Sequence, residues 1–139
     1  MTVPVVDASV VVDWVAPDVD PRGPAGRLLR TLVKAEALVA APRLMAEEVA
    51  NALITGVRRG RWEGAAADQA FAQLAAMPLR LEHQPQDLVR AWDLSRRYDE
   101  HPIYDMVYLA VAERLGEDLF TADHKLVDRV RLPWVIAVD

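Results

Sequence analysis

The sequence contains no cysteine, which excludes a disulfide scaffold, a thiol nucleophile and a zinc site built on thiolates. It also lacks a long apolar run. Asp7 and Asp13 interrupt the apolar N-terminus, so we expect neither a signal peptide nor a membrane span, and a cytoplasmic location is compatible with this composition. A chain of 139 residues, 53% of them hydrophobic, is predicted to form a single domain over residues 1–139.

Positive charge is also scarce, because 16 Lys and Arg residues stand against 21 Asp and Glu residues, for a net charge of −5. A broad basic face that grips nucleic acid is therefore not expected. Bound metal would reverse the local charge wherever several acids are gathered, so the total charge leaves nucleic acid open as a partner.

Short apolar stretches that predict strands alternate with segments of helical periodicity. The predicted strands are 3–7, 38–41, 79–82, 118–121 and 134–136. The predicted helices are 9–15, 25–37, 42–56, 63–77, 86–98, 103–115 and 126–130. This alternation predicts an α/β fold, a three-layer α/β/α sandwich with a mainly parallel central sheet. We expect Ser9 to cap the first helix, Gly56 to lie near the end of the third, and Trp14, Trp92 and Trp134 to be core residues.

Four acids have unusual positions in this pattern. Asp7 ends the first strand and Asp123 follows the fourth, so both belong at the same edge of a parallel sheet. Glu48 lies beside the apolar stripe of its helix, and Asp105 lies in the first turn of the most apolar helix. A carboxylate in apolar surroundings is costly unless it is paired or bound to metal. Because Lys and Arg are sparse near these acids, metal is the favoured counter-charge.

Each acid also has a simpler structural explanation. Asp7 and Asp123 could each cap a helix, Asp105 could complement a helix dipole, and Glu48 could be solvated. The joint occurrence of all four at compatible positions favours a shared site.

Three motifs carry a family resemblance: V-V-D-A-S from Val5, A-P-R-L-M-A-E-E-V-A-N-A-L from Ala41, and Y-D-M-V-Y-L-A-V-A-E-R-L-G from Tyr104 with L-F-T-A-D-H-K-L from Leu119. Together they resemble the PIN-domain nucleases and, more narrowly, the VapC-type toxins of bacterial toxin–antitoxin pairs. The acid of the middle motif stands three residues before Asn51, which selects Glu48 and not Glu47. Met106 departs from the small residue that is more usual there.

The resemblance implies an endoribonuclease that depends on Mg²⁺, with Mn²⁺ as an alternative. It assigns the metal-binding and catalytic roles to Asp7, Glu48, Asp105 and Asp123, and supporting hydrogen bonds to Ser9, Asn51 and Thr121. Two such ions about 3.5–4 Å apart can support in-line displacement at phosphorus. Candidate RNA contacts are Arg58, Arg59, Arg61, Arg96, Arg97, His124 and Lys125, with Trp62 either as a stacking ring or as a packed residue. His83 and His101 have no support as metal ligands.

Among partners, the resemblance implies an RNA substrate, a cognate antitoxin that blocks the acidic pocket, often with a basic side chain, and a homodimer. A groove for a partner helix is plausible between residues 25–37 and 43–56. The alternative is a catalytically silent PIN-like module that binds RNA or protein. A receiver domain is excluded because Leu81-Glu82-His83 lacks the required Asp, and a haloacid-dehalogenase-like phosphatase because Asp7-Ala8-Ser9 lacks Asp-x-Asp.

Overall fold

In the computed structural model, which describes residues 2–139, strands and helices alternate along the chain. The strands are β1 (Val5–Val6), β2 (Ala40–Pro42), β3 (Arg80–Glu82), β4 (Leu119–Thr121) and β5 (Val135–Ala137). The helices are α1 (Ala8–Val15), α2 (Pro24–Lys34), α3 (Leu44–Arg58), α4 (Gly64–Ala76), α5 (Pro85–Arg97), α6 (Ile103–Leu115) and α7 (His124–Val130). No helix within residues 2–139 is both long enough and apolar enough to cross a membrane.

The strands form one parallel sheet in the order β3-β2-β1-β4-β5. Val5 of β1 pairs with Ala40 of β2 on one side and with Leu119 of β4 on the other. The chain therefore moves outward from β1 first in one direction and then in the other. This places the topological switch point between β1 and β4, where ligands of open α/β sheets usually bind beyond the carboxyl ends of the strands.

Helices cover both faces of the sheet. On one face, α1 packs against β4 and against α2, α3 and α4. On the other face, α6 packs against β1, β2 and β4 and is covered by α5. Val5, Val6 and Leu119 are fully buried between these layers. The predicted three-layer sandwich with a parallel sheet is therefore confirmed.

Helix α3 runs past Gly56 to Arg58, so Gly56 lies inside the helix and does not end it. The reason is a close approach by Trp62, because a Cβ added at Gly56 would lie 2.2 Å from the indole ring. The Trp62 indole N–H donates to the Leu53 carbonyl at 2.9 Å, and the side chain is buried. Glycine is therefore required at position 56, because the Trp62 indole occupies the space that a side chain would fill.

The prediction that three tryptophans are core residues is wrong for Trp92, which is 61% exposed on α5. Helix α5 packs on α6 through buried Ala91 and Leu94, and Trp92 projects from the outer face. Trp14 and Trp134 are only partly buried, although both pack against the core.

Candidate metal centre

Asp7 is held at the switch point by β1 and β4. It directly follows β1, its backbone N–H donates to the Phe120 carbonyl of β4 at 2.9 Å, and the residue is only 6% exposed. Its Oδ2 accepts hydrogen bonds from Ser9 Oγ at 2.7 Å and from Thr121 Oγ1 at 2.8 Å. These two hydroxyls fix the orientation of the carboxyl group.

Burial raises the pKa of Asp7, because an ionised carboxylate loses hydration there. The hydrogen bonds from Ser9 and Thr121 oppose this shift, and the nearby charge of Asp105 adds to it. Within residues 2–139, neither Lys nor Arg forms an ion pair with Asp7. The charged form of Asp7 therefore lacks a protein counter-charge.

Glu48 approaches the same point from α3. Its side chain is partly buried, and the Tyr108 hydroxyl donates to its Oε1 at 2.6 Å. Burial raises the pKa of Glu48, the Tyr108 bond opposes that rise, and the charges of Asp7 and Asp105 add to it. Sequence reasoning missed Tyr108, although its position one helical turn after Asp105 was a usable signal.

Asp105 completes the group from the first turn of α6. Its charge contributes to the raised pKa of both Asp7 and Glu48, so the three acids share one electrostatic environment. We call Asp7, Glu48 and Asp105 the carboxylate triad. His101 Nε2 lies 2.6 Å from Asp105 Oδ2, and its side chain is only 12% exposed. This contact was also missed, and the i,i+4 spacing across the start of the helix could have indicated it.

Asp123 lies at the same edge of the sheet, where its carboxylate caps α7. Its Oδ1 accepts from the backbone N–H groups of Lys125 at 3.0 Å and Leu126 at 3.2 Å. The backbone N–H of Asp123 donates to Thr121 Oγ1 at 3.0 Å, which links this loop to Asp7. The capping explanation of Asp123 is therefore confirmed as its local structural role.

The caps at α1 differ from the predictions. Asp7 occupies the N-cap position of α1, but its side chain makes no capping hydrogen bond. Ser9, which was expected to cap this helix, lies inside it and donates to Asp7 Oδ2 instead. The Ser9 Oγ also accepts from the backbone N–H of Ala122 at 3.0 Å. The contact with Ala122 therefore ties α1 to the residue that follows β4.

The donors of the carboxylate triad suit a hard divalent cation, because they are oxygens with a concentrated negative charge. Within the described residues, however, no three His, Asp or Glu side chains already form a ready-made ligand set. The hydroxyls of Ser9, Thr121 and Tyr108 and the ring of His101 hold the carboxyl groups instead. Mg²⁺ is commonly bound by one or two carboxylates and retains several waters. The carboxylate triad therefore suits Mg²⁺ even though its three side chains do not all point at one position.

The basic turn after α3 lies away from the carboxylate triad. Arg58 is the last residue of α3, ten residues after Glu48, and this spacing corresponds to about 15 Å along a helix. Arg61 pairs with Asp18 at 2.7 Å and lies 4.8 Å from the centre of the Trp62 ring. Since Trp62 is buried, the packed alternative for this ring is confirmed.

Other predicted contacts lie nearer to the acids. His124 and Lys125 are exposed at the first turn of α7, directly after Asp123. Asn51 is exposed one turn after Glu48 on α3. The structure thus brings His124 and Lys125 to the edge of the site and leaves the arginine turn at the far end of α3.

A cavity of about 580 Å³ opens beside Glu48, between the N-terminal part of α3 and the N-terminal turns of α5 and α6. Its apolar wall includes Leu44, Leu88, Tyr104 and Val107. From the sequence, a partner groove between α2 and α3 was only plausible, whereas this cavity lies where α3 faces α5 and α6.

The family model described as the PIN domain matches residues 5–132. The chain therefore belongs to the PIN-domain family. Within that family it is similar to Ribonuclease VapC1 of Mycobacterium tuberculosis, with 34% identity over 136 residues that span 95% of this chain and 94% of that protein. The narrower resemblance to VapC-type proteins is thereby confirmed.

Solved structures show the same fold. PAE2754 from Pyrobaculum aerophilum gives a TM-score of 0.73 at 24% identity and covers 99% of this chain and 90% of its own. VapC20 of Mycobacterium tuberculosis, described as a sarcin–ricin loop cleaving toxin, gives 0.66 at 20% identity, with 95% and 96% covered. A toxin–antitoxin complex from Klebsiella pneumoniae gives 0.67 at 19% identity, with 98% of each chain covered.

Proposed function

We propose that this protein is a metal-dependent endoribonuclease and the toxin of a type II toxin–antitoxin pair. The observation that carries the proposal is the carboxylate triad at the switch point, where burial and mutual repulsion raise the pKa of Asp7 and Glu48. Similarity to a relative named a ribonuclease supports the same reaction class.

In the proposed site, Asp7 and Asp105 hold the cation, with Glu48 beside them. Asp123 orients water or substrate through its remaining carboxylate oxygen, because Oδ1 already caps α7. Ser9 and Thr121 keep Oδ2 of Asp7 fixed. A bound Mg²⁺ or Mn²⁺ would supply a water of lowered pKa and stabilise negative charge on the phosphodiester oxygens.

We place the RNA backbone across the start of α7. His124 and Lys125 are exposed beside Asp123 and offer donors to a phosphate at the rim of the acidic site. Arg58 and Arg59 are exposed and would contact RNA only at a distance from the cleaved bond. Arg61 is already paired with Asp18, which makes it the weakest candidate of the three arginines.

For the antitoxin, we propose a segment that lies in the cavity between α3 and α5–α6 and directs a basic side chain towards the acids. The cavity has an apolar wall, and Glu47 and Glu48 lie at its lining. An amphipathic segment with Lys or Arg at its end fits this combination of apolar surface and acidic charge.

A homodimer is proposed through the outer face of α5. Val89 and Trp92 are 67% and 61% exposed on this face. Clustered exposed apolar side chains of this kind mark interaction surfaces. Light scattering of the purified protein should give twice the monomer mass, and Trp92→Glu should shift it towards one monomer mass.

The decisive experiment incubates labelled RNA with purified protein in Mg²⁺, in Mn²⁺ and with chelator. We expect cleavage with either metal, none with chelator, and a loss of at least about 100-fold in Asp7→Asn or Asp105→Asn. Asp68→Asn is the matched control, since it removes the same charge from an exposed position on α4. Cleavage that survives both site substitutions would contradict the proposal.

The alternative is a catalytically silent module, and the same assay separates the two functions. Metal-dependent retention of intact RNA, without new 5′ or 3′ ends, would favour binding alone. Sequencing the RNA ends that form when the wild type is expressed beside Asp7→Asn would identify the cleaved RNA.

A further inference from the structure

Tyr108 is the largest fully buried side chain of the core, and it carries a polar hydroxyl into that core. The residue is 1% exposed, and its hydroxyl lies 2.6 Å from Glu48 Oε1. A buried hydroxyl is costly unless it is hydrogen-bonded, so the contact with Glu48 satisfies Tyr108 as well as Glu48. Tyrosine at this position thus provides a donor that phenylalanine would lack.

The hydroxyl can act only as a donor to Glu48. The phenol O–H donates to a carboxylate oxygen, which can only accept. Because the ring is enclosed by the core, the direction of this bond is set by packing and not by solvent.

Glu48 needs such a partner more than the two aspartates do. Its side chain has one more rotatable bond than Asp, and only partial burial restrains it. Asp7 is fixed by two hydroxyls and Asp105 by an imidazole, whereas Tyr108 is the side chain that holds Glu48. The bond to Oε1 leaves Oε2 as the oxygen available for a ligand.

The same helix supplies this restraint and one of the acids. Asp105 and Tyr108 lie one turn apart on α6, so they share one side of a single rigid element. Helix α6 packs directly on β1 and β2, so Tyr108 is carried by an element that is fixed to the sheet. A hydroxyl on α6 can therefore set the position of a carboxylate on α3.

We propose that Tyr108 is the positioning residue for Glu48, and that its hydroxyl holds one carboxylate oxygen so that the other faces Asp7 and Asp105. This inference rests on the proposed function, because it assigns Glu48 to the cation site. Tyr108 itself touches neither cation nor RNA in this arrangement, and it acts only through Glu48.

The test compares Mn²⁺ binding and RNA cleavage in the wild type, Tyr108→Phe and Tyr98→Phe. Phenylalanine keeps the ring and removes only the hydroxyl, and Tyr98 offers a matched change on a half-buried residue outside the carboxylate triad. Calorimetric titration of the metal-free proteins measures Mn²⁺ affinity without reference to activity. Thermal unfolding of each variant checks that the fold is retained.

We expect Tyr108→Phe to weaken Mn²⁺ binding by about 10-fold and to slow cleavage at saturating RNA by about 10–100-fold, with the KM for RNA unchanged. Tyr98→Phe should match the wild type in both measurements. In a Glu48→Gln background, Tyr108→Phe should add less than about 2-fold, because residues that act through one another are not additive.

Equal Mn²⁺ affinity and turnover in the wild type and Tyr108→Phe would overturn the positioning role alone. A full additional loss in the Glu48→Gln background would also overturn it, since Tyr108 would then act independently of Glu48. A wild type that binds no Mn²⁺ and cleaves no RNA would overturn the proposed function and, with it, this role.

Discussion

Replacement of Asp7 by asparagine should stabilise the metal-free protein while it abolishes activity. Asp7 is 6% exposed, and burial raises its pKa. Asparagine has nearly the same shape, and its amide oxygen can accept the hydrogen bonds from Ser9 and Thr121. The substitution therefore removes the cost of an uncompensated buried charge at small cost in packing.

The magnitude follows from two opposing contributions. A buried carboxylate without a counter-charge costs several kcal/mol of desolvation, of the order of 3–4 kcal/mol. Two hydrogen bonds to a charged acceptor become neutral ones, at a loss of about 1 kcal/mol each. The net gain in the free energy of unfolding is about 1–2 kcal/mol, which corresponds to a rise in Tm of about 3–7 °C for a domain of this size.

Added metal should reverse the ranking of the two proteins. At 100 times its Kd, a ligand that binds only the folded state adds about 2.7 kcal/mol to the wild type. Asp7→Asn should gain almost nothing from the same Mn²⁺ concentration, because it lacks a principal ligand in the proposed site. Differential scanning calorimetry with and without Mn²⁺ measures both effects in one experiment.

The raised pKa values also determine how the stability of the metal-free protein changes with pH. The folded-state pKa values of Asp7 and Glu48 lie above their ordinary values of 3.8 and 4.5. Their contribution to the stability of the metal-free protein is therefore complete below those ordinary values and is lost as the pH rises through the raised ones. Asp7→Asn should show a smaller loss over this window.

Two results would refute this reasoning. A lower Tm for metal-free Asp7→Asn would mean that the charge of Asp7 stabilises the fold. A Tm response to Mn²⁺ equal to that of the wild type would mean that Asp7 is not a ligand. Asp68→Asn controls for the change in net charge, since its side chain is exposed on α4.

Three further changes test the packing around the site. Arg114→Met should lower the free energy of unfolding by about 3–5 kcal/mol in urea titrations, because it leaves the buried carboxylate of Asp87 without its paired guanidinium at 2.8 Å. Gly56→Ala should cost about 1–3 kcal/mol by the same measurement, because the new Cβ would lie 2.2 Å from the Trp62 ring. Ser95→Ala should be neutral or stabilising by up to about 1 kcal/mol, because the buried hydroxyl has no hydrogen-bond partner within residues 2–139.

The fold was largely predictable because its signals are local. Helix α6 begins after Pro102 and ends before Gly116, whose φ of 67° is the left-handed cap conformation. The predicted bounds of 103–115 match the observed helix. The parallel sheet followed from the alternation of strands and helices and did not require knowledge of any one contact.

The exposure of α5 could not be predicted from its apolar residues. Its sequence carries Leu88, Val89, Trp92 and Leu94, which together indicate a core-facing helix. In the structure Leu94 is buried, whereas Trp92 lies on the outer face. Periodicity identifies an amphipathic helix but does not reveal a second apolar surface that another molecule could cover.

The acids differ in how far their positions could be derived. Asp7 and Asp123 follow neighbouring parallel strands, so topology alone places them at one edge of the sheet. Glu48 and Asp105 lie on helices, α3 and α6, from different layers of the sandwich. Their approach to Asp7 depends on how those helices pack on the sheet, which no local pattern specifies.

The supporting contacts at Asp7 were expected from the family resemblance, whereas the contact of Tyr108 with Glu48 was missed. Ser9 and Thr121 do adjoin the ends of β1 and β4, beside Asp7. Tyr108 reaches Glu48 across 60 positions in the chain, through the interior of the fold. A buried tyrosine hydroxyl requires an acceptor, but only the packed structure identifies Glu48 as that acceptor. Strand topology therefore sets the position of Asp7, and helix packing sets the position of Glu48. Tyr108→Phe should perturb the position of Glu48 and leave that of Asp7 unchanged.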